Sequence, residues 1–253
     1  MNLEEFCERF QTLQAERPET PRFLHIGQQL LRGLLRDPAW FGECLQGYIA
    51  GPTFLADQPT SVFDNEIRLH RSPDKSLTIL AYIWDSQDLC AVHDHGAWGL
   101  IGSLLSPLRE VKYRRLDDGE VEGFARLEQV SDSLLEPGEV GFVLPLNQGI
   151  HQTGAAGDAL TLSLGIYGRS IRQGYIHFFN PAEKRITRAH TRILFRKVLA
   201  LRALEAMGET FLAPSLLDSL PEGLVREFER SSSNSKLRSL SNPGVFENPR
   251  KLV

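Results

Sequence analysis

The chain has 253 residues, of which 24% are charged and 42% are hydrophobic, and its formal net charge is −4. This is the composition of a folded globular protein, so disorder of the whole chain is excluded. The slight acidity argues against a protein that binds nucleic acid through bulk positive charge. No apolar run approaches the roughly 18 residues that a membrane span needs.

The amino terminus and the cysteines predict a cytoplasmic location. The first five residues, Met1 to Glu5, lack the basic-then-apolar order of a signal peptide. The three cysteines, Cys7, Cys44 and Cys90, are spaced too widely for a disulfide framework or a zinc knuckle. We therefore expect three buried thiols in a reducing cytosol.

The first two zones of the chain differ in their apolar periodicity. Residues 1–53 are predicted to form a helical segment that packs on the next zone, because apolar residues recur at helical spacing over 3–13 and 23–35. Residues 54–185 are predicted to form a barrel, because short β-branched and aromatic runs alternate there with turn sequences. The predicted strands are Leu77–Trp84, Trp98–Leu105, Leu108–Leu116, Val140–Leu144 and Leu160–Tyr167.

Residues 186–230 return to helical spacing and are predicted to form C-terminal helices. One side of this pattern is apolar, and Arg188, Arg192 and Arg196 fall mostly on the other. We interpret the arginine face as solvated, with a homo-oligomer contact through these helices as the alternative. The serine-rich run from Ser231 begins a predicted flexible tail over residues 231–253.

The sequence His93-Asp94-His95 is the part of the chain that points to chemistry. On a strand, residues i and i+2 share a face, so His93 and His95 would project side by side while Asp94 points away. Two imidazoles so placed can share one divalent ion, and unpaired inside a barrel they would be costly to desolvate. A third ligand is then needed, and His151 is the candidate, since it follows a loop that leads into another apparent strand.

The residues around these histidines resemble the two metal-binding motifs of the cupins. The matching stretches are residues 93–102, His-Asp-His-Gly-Ala-Trp-Gly-Leu-Ile-Gly, and Pro137-Gly138 upstream of His151. They are similar in particular to the bacterial thiol dioxygenases, the relatives of cysteine dioxygenase and 3-mercaptopropionate dioxygenase, over about residues 60–185. The resemblance implies a mainly β fold, the cupin double-stranded β-helix (jelly-roll) barrel with N-terminal helices, to which this chain adds a C-terminal helical extension.

The resemblance also implies one Fe(II) held by His93, His95 and His151. General cupins have a carboxylate ligand about four residues after the histidine pair, where this chain has Gly99 or Leu100, so a three-histidine site is implied. A neutral ligand set leaves the charge of the ion uncancelled, which favours an anionic thiolate. The remaining positions on the ion would admit the thiolate and O₂, and the expected product is a sulfinate.

Two catalytic residues follow from the same resemblance. The family has a Ser-x-His-x-Tyr run on one strand face, and the corresponding residues here are Ser163, Gly165 and Tyr167. The serine and the tyrosine are kept and are the expected catalytic residues, with the tyrosine hydroxyl directed at the metal-bound ligands. The middle histidine is absent, so the tyrosine is expected to lack its orienting partner.

Relatives bind the substrate carboxylate with an arginine, and two positions are candidates here. Arg68 lies near the family's position ahead of the histidine pair, with Arg71 as its competitor. Arg172, with Arg169 nearby, is the second candidate, beyond the tyrosine. A guanidinium suits this task because it can bind a carboxylate through two hydrogen bonds.

Three functions remain open on the sequence. The first is a non-haem iron dioxygenase that acts on a small thiol such as cysteine or 3-mercaptopropionate. The second is a three-histidine cupin metalloenzyme with a specialised cysteine-derived or other substrate, a hypothesis motivated by Gly165 and the C-terminal extension. The third is a non-catalytic, metal-stabilised cupin binding module. The expected partners of the first are the thiol and O₂, with neither nucleic acid nor a membrane.

Overall fold

A computed structural model describes residues 1–50, 58, 61–63, 65–84, 89–172, 174–191, 217–218 and 220–233 of the chain. The helices among these residues are α1 (Leu3–Glu16), α2 (Thr20–Leu35), α3 (Ala39–Ala50) and α4 (Glu222–Ser233), with a short 3-10 helix at Leu146–Gly149. The strands are β1 (Glu66–Arg71), β2 (Thr78–Trp84), β3 (Val92–His93), β4 (Gly99–Leu105), β5 (Leu108–Arg115), β6 (Leu127–Leu135), β7 (Val140–Val143), β8 (His151–Ala155), β9 (Thr161–Tyr167), β10 (Tyr175–Asn180) and β11 (Arg185–His190).

The strands form two antiparallel sheets. One has the order β1-β2-β9-β4-β7, and the other has the order β11-β10-β3-β8-β5-β6. In each sheet a strand from early in the chain pairs with one from late in the chain. In the first sheet β2 pairs with β9, and in the second β3 pairs with β8. This is the double-sheet jelly roll of which cupins are an example. The predicted cupin double-stranded β-helix barrel is therefore confirmed.

The helices α1 and α2 cover the outer face of the first sheet. Along β2, Ile79 and Ala81 pack against the helices, while Tyr82 and Trp84 pack into the barrel. Successive strand residues point to opposite faces, so a sheet covered on both faces has a nearly continuous apolar strand. None of the helices among the described residues combines the length and the apolar character that a membrane span needs.

The C-terminal zone differs from its prediction. Residues predicted to begin a helix at 186 instead form β11, which pairs with β10 in the register Phe178↔Thr187 and extends the barrel to His190. Strand pairing overrides the helical spacing of the apolar residues there. Residues 192–216, the centre of the predicted helices, lie outside the described residues. The helix α4 continues to Ser233, so the predicted start of the flexible tail at Ser231 is wrong, and residues 234–253 are outside the described residues.

The cysteine prediction is correct in one part and wrong in another. All three cysteines are free, and Cys7 is buried. Cys44 and Cys90 are only half-buried, because one lies on the partly covered helix α3 and the other on the loop before β3.

Candidate metal centre and pocket

Three histidine side chains meet inside the barrel. The Nε2 atoms of His93 and His95 are 3.1 Å apart, and those of His95 and His151 are 2.8 Å apart. The candidate ligand atoms of the three residues all lie within 4.8 Å of one another. The structure thus brings together the three residues that the sequence analysis selected as ligands.

Strand pairing and one loop place these histidines. His93 ends β3 and pairs directly with His151, the first residue of β8. His95 lies on the loop after β3, so the expectation that one strand carries both histidines is wrong, although their rings still meet. The backbone N–H of Leu146 donates to the carbonyl of His95 at 2.8 Å. Gly96 allows the loop to pass close to the backbone at Arg172, because a Cβ at position 96 would lie 2.7 Å from the carbonyl oxygen of Arg172.

The outer nitrogens of two histidines are held by acceptors. His93 Nδ1 lies 2.9 Å from the carbonyl oxygen of Ala91, and His151 Nδ1 lies 2.9 Å from Glu110 Oε1. Each Nδ1 therefore carries the proton and donates, and each Nε2 presents a lone pair to the centre. Burial lowers the pKa of all three imidazoles and keeps them neutral. Neutral imidazoles whose lone pairs converge are the donor set of a divalent transition metal, so the residues present fit one.

Glu110 is a residue that sequence reasoning missed. Its carboxylate is buried between His151 and Lys112, whose Nζ is 3.3 Å from Oε2. Burial raises the pKa of this carboxyl, and Lys112 opposes the rise. Only the pairing of β5 with β8, with Lys112 opposite His151, brings the three side chains together. No local pattern in the sequence signals this contact.

Asp94 points away from the three imidazoles, as predicted, and is fully buried. It accepts hydrogen bonds from the Arg172 guanidinium, from the backbone N–H of His177 at 2.8 Å and from His177 Nδ1 at 3.0 Å. Burial alone would raise the pKa of Asp94, but these hydrogen bonds outweigh it and hold the pKa well below its ordinary value. The roles of Asp94 and His177 as partners of Arg172 were not predicted.

The ring of Tyr167 stacks on His95 with centroids 5.1 Å apart. It lies between two glycines: a Cβ at Gly99 would be 2.7 Å from the ring, and a Cβ at Gly165 would be 2.5 Å from it. The ring therefore occupies the space that a side chain at position 165 would need. The Tyr82 hydroxyl on β2 donates to the Tyr167 hydroxyl at 3.5 Å, so the partner that was expected to be absent comes from the neighbouring strand. Burial raises the pKa of Tyr167, which keeps its hydroxyl protonated.

Ser163 lies deeper in the barrel, behind the histidines. Its Oγ accepts a hydrogen bond from Trp84 Nε1 at 2.8 Å, and both residues are buried. They line an inner cavity of about 10 Å³, to which His93 and His151 also contribute. A space of this size holds about one water molecule, so a substrate has to approach from the other side.

A second, larger pocket opens on the side of His95. Its volume is about 510 Å³, and Tyr82 and Tyr167 separate it from the inner cavity. The charged residues in its lining are Glu66, Arg71, Lys75, Arg169 and Arg172. Arg68 is not among the described residues that line it.

No protein-family model matches the sequence. Among solved structures, the chain is similar to an acetylacetone dioxygenase from Acinetobacter johnsonii, with 16% identity over 50% of this chain and 70% of that chain and a TM-score of 0.32. It is similar to a cupin-like protein from Thermotoga maritima MSB8, with 12% identity over 47% of this chain and 83% of that chain and a TM-score of 0.32. It is also similar to the DMSP lyase DddQ from Ruegeria pomeroyi DSS-3, with 16% identity over 39% of this chain, a TM-score of 0.28 and a match that spans only 41% of the lyase chain. These TM-scores are too low to transfer a function, so only the chain's own site bears on what it does.

Proposed function

We propose that the protein is a non-haem iron thiol dioxygenase that converts an anionic thiol into a sulfinate. The observation that carries the proposal is the neutral donor set, in which His93, His95 and His151 direct their Nε2 atoms at one point. Among the described residues no carboxylate joins this group, since Glu110 faces Nδ1 of His151 and Asp94 faces Arg172. A divalent ion in such a set keeps its positive charge and favours an anionic ligand.

The reaction balances without a further reductant. Fe(II), when bound by the three histidines, would supply binding positions for the thiolate and O₂ and a path for electrons between them. The thiolate R–S⁻ and O₂ give R–SO₂⁻: two S–O bonds form and the O–O bond breaks. Sulfur loses four electrons, and the two oxygen atoms gain them.

The residues around the three histidines have separate proposed roles. Tyr167, stacked on His95 and held by Tyr82, positions its protonated hydroxyl beside the bound reactants and can donate a hydrogen bond to a developing S–O group. Glu110 holds His151 in the tautomer that binds metal. Ser163 fixes Trp84 and so limits the space behind the centre to the small inner cavity.

The two arginines differ in what they can do for a substrate. Arg172 lies in the pocket wall, but its guanidinium is bound to Asp94, so we assign it to positioning the loop that carries His95. Arg68 lies on β1, where its backbone N–H donates to Gln58 at 2.7 Å, and a substrate contact through its side chain stays a prediction.

The proposal is tested by metal analysis and O₂ uptake. Protein purified without oxygen and loaded with Fe(II) should hold one iron per chain and consume one O₂ per thiol. The product should be heavier than the thiol by two oxygen atoms. Retained iron without O₂ uptake on any thiol would favour the non-catalytic binding module, and a product other than a sulfinate would favour a different cupin metalloenzyme.

A further inference from the structure

The pocket beside His95 is much larger than a three-carbon thiol needs. Its volume of about 510 Å³ lies within the range of roughly 300–1,000 Å³ that is typical of pockets for drug-sized ligands. A tightly fitted pocket for cysteine or 3-mercaptopropionate would be smaller, because binding energy depends on close contact over the whole ligand. The size therefore favours a longer substrate.

Apolar side chains supply much of the pocket wall: Val62, Phe63, Leu80, Ala97 and Ile176 line it. Leu80 lies on β2 between the end that joins the Lys75 turn and Tyr82, which contacts Tyr167 beside His95. Glu66 is the one carboxylate among the described residues of the lining; burial raises its pKa, and the neighbouring Ser61 and Tyr82 oppose the rise. An alkyl or similarly apolar chain would gain about 0.8 kcal/mol, or about fourfold in affinity, for each methylene that it buries against such walls.

The cationic side chains that are available to a substrate lie at the rim of the pocket. Arg71, the last residue of β1, and Lys75, on the turn between β1 and β2, are both exposed, and within the described part of the chain neither has a carboxylate partner. Arg169 is next to them, and its only described ion pair is an exposed one with Asp74 at 3.6 Å. Arg172, the cation nearer His95, is bound to Asp94 and has little capacity for a second carboxylate. A substrate anion is therefore expected at the rim, far from its sulfur.

We propose that the pocket selects an elongated thiol, with its sulfur at the three histidines, an apolar middle and a carboxylate or phosphate at the Arg71–Lys75 rim. This assignment of substrate class rests on the proposed thiol dioxygenase function. The proposed substrate is longer than the small thiols that the sequence predicted. The reason is that the available cations lie at the rim, and the space of the pocket separates them from the three histidines.

The test is a series of ω-mercapto acids of increasing length. The ratio kcat/KM should rise from 3-mercaptopropionate to 8-mercaptooctanoate by about fourfold per added methylene, until the carboxylate reaches the rim. The neutral 8-mercapto-1-octanol should be a poorer substrate than the acid by roughly tenfold or more, on the scale of a hydrogen bond to a charged group.

A matched pair of variants assigns the effect to the rim. Arg71→Gln with Lys75→Gln should raise KM for 8-mercaptooctanoate by about tenfold and leave 8-mercapto-1-octanol unchanged. Arg109→Gln with Arg114→Gln removes the same charge from β5, where both arginines pair with β6 outside the pocket, and should change neither KM. Unfolding temperatures of both variants should match the wild-type protein, since all four side chains are on the surface.

A binding measurement separates this proposal from the proposed function. Calorimetric titration with octanoate, octyl phosphate and octan-1-ol needs no turnover, and the relative affinity of the two anions identifies the anionic group. Rim-dependent binding of either anion without oxidation of any thiol would support the pocket assignment and contradict the dioxygenase. A preference for 3-mercaptopropionate, or a rim variant with unchanged KM, would overturn the elongated substrate and leave the dioxygenase in place.

Discussion

Arg172 and Asp94 form a buried ion pair directly behind the histidine pair of the metal centre. The Arg172 side chain is 13% exposed and the Asp94 side chain is not exposed at all, although the two residues are far apart in the sequence. Because Asp94 lies between His93 and His95 in the chain, the pair fixes the backbone from which both imidazoles project. The pair is completed by His177, whose backbone N–H and Nδ1 both donate to the same carboxylate.

Arg172→Ala is expected to lower the free energy of unfolding by about 3–5 kcal/mol, since it leaves the buried Asp94 carboxylate without its guanidinium. Arg169→Ala is the matched control: its side chain is 67% exposed, and a surface pair with Asp74 contributes about 0–1 kcal/mol. Urea denaturation of both variants measures the difference. Equal, small changes would mean that Arg172 does not hold the loop.

His151→Ala should remove most bound iron and all turnover. The two remaining imidazoles bind Fe(II) so weakly that water molecules replace them as ligands. The change also leaves Glu110 without its histidine partner. Iron content by elemental analysis and O₂ uptake report the two effects. A variant that kept full iron and activity would contradict the three-histidine assignment.

Glu110→Gln should weaken iron binding by about 10–100-fold while the protein stays folded, because partners of metal-binding histidines usually contribute this much. The loss arises because a neutral amide accepts from His151 Nδ1 less strongly than a carboxylate. Competition with a chelator measures the affinity. Glu128→Gln, on the exposed strand β6 and paired with Arg114, is the control and should leave the affinity unchanged.

Tyr167→Phe should keep the iron and lower kcat by about 100-fold, the low end of the range for a group that transfers or donates a proton during the reaction. Tyr82→Phe should have a smaller effect in the same direction, because it removes only the hydroxyl that holds Tyr167. Steady-state kinetics with an active thiol compare the two. If kcat were unchanged in Tyr167→Phe, the tyrosine would be a packing residue.

The turn at the rim of the pocket should lose stability in acid. Hydrogen bonds from the Ser72 hydroxyl and from Ser76 lower the pKa of Asp74 to about 2, against roughly 3.9 in an unfolded chain. A lowered pKa in the folded state gives stability that is fully present above about pH 3.9 and is lost as the pH falls towards 2. The difference in unfolding temperature between wild type and Asp74→Asn should therefore shrink over this interval. If the difference in unfolding temperature stayed constant from pH 5 to pH 2, the stabilising role of the Asp74 carboxylate would be contradicted.

The sequence by itself indicated the class of the fold and the three histidines that meet inside the barrel. Short, nearly continuous apolar runs such as Leu77–Trp84 predict strands, because a strand whose sheet is covered on both faces must supply apolar side chains to the barrel and to the outer face. The motif His93-Asp94-His95 is local, so the sequence indicates that the two imidazoles lie together and that Asp94 lies apart, although the loop that carries His95 replaces the single strand that the spacing predicted.

Tertiary structure decided what each of these residues contacts. Glu110 reaches His151 only through the pairing of β5 with β8, and Tyr82 reaches Tyr167 only through the pairing of β2 with β9. The arginines show the same limit: the sequence offered several as candidates for binding a substrate carboxylate, but only the folded chain shows that Arg172 is bound to Asp94 while Arg71 lies in the rim. Contacts between strands far apart in the chain depend on sheet register, which no local pattern encodes.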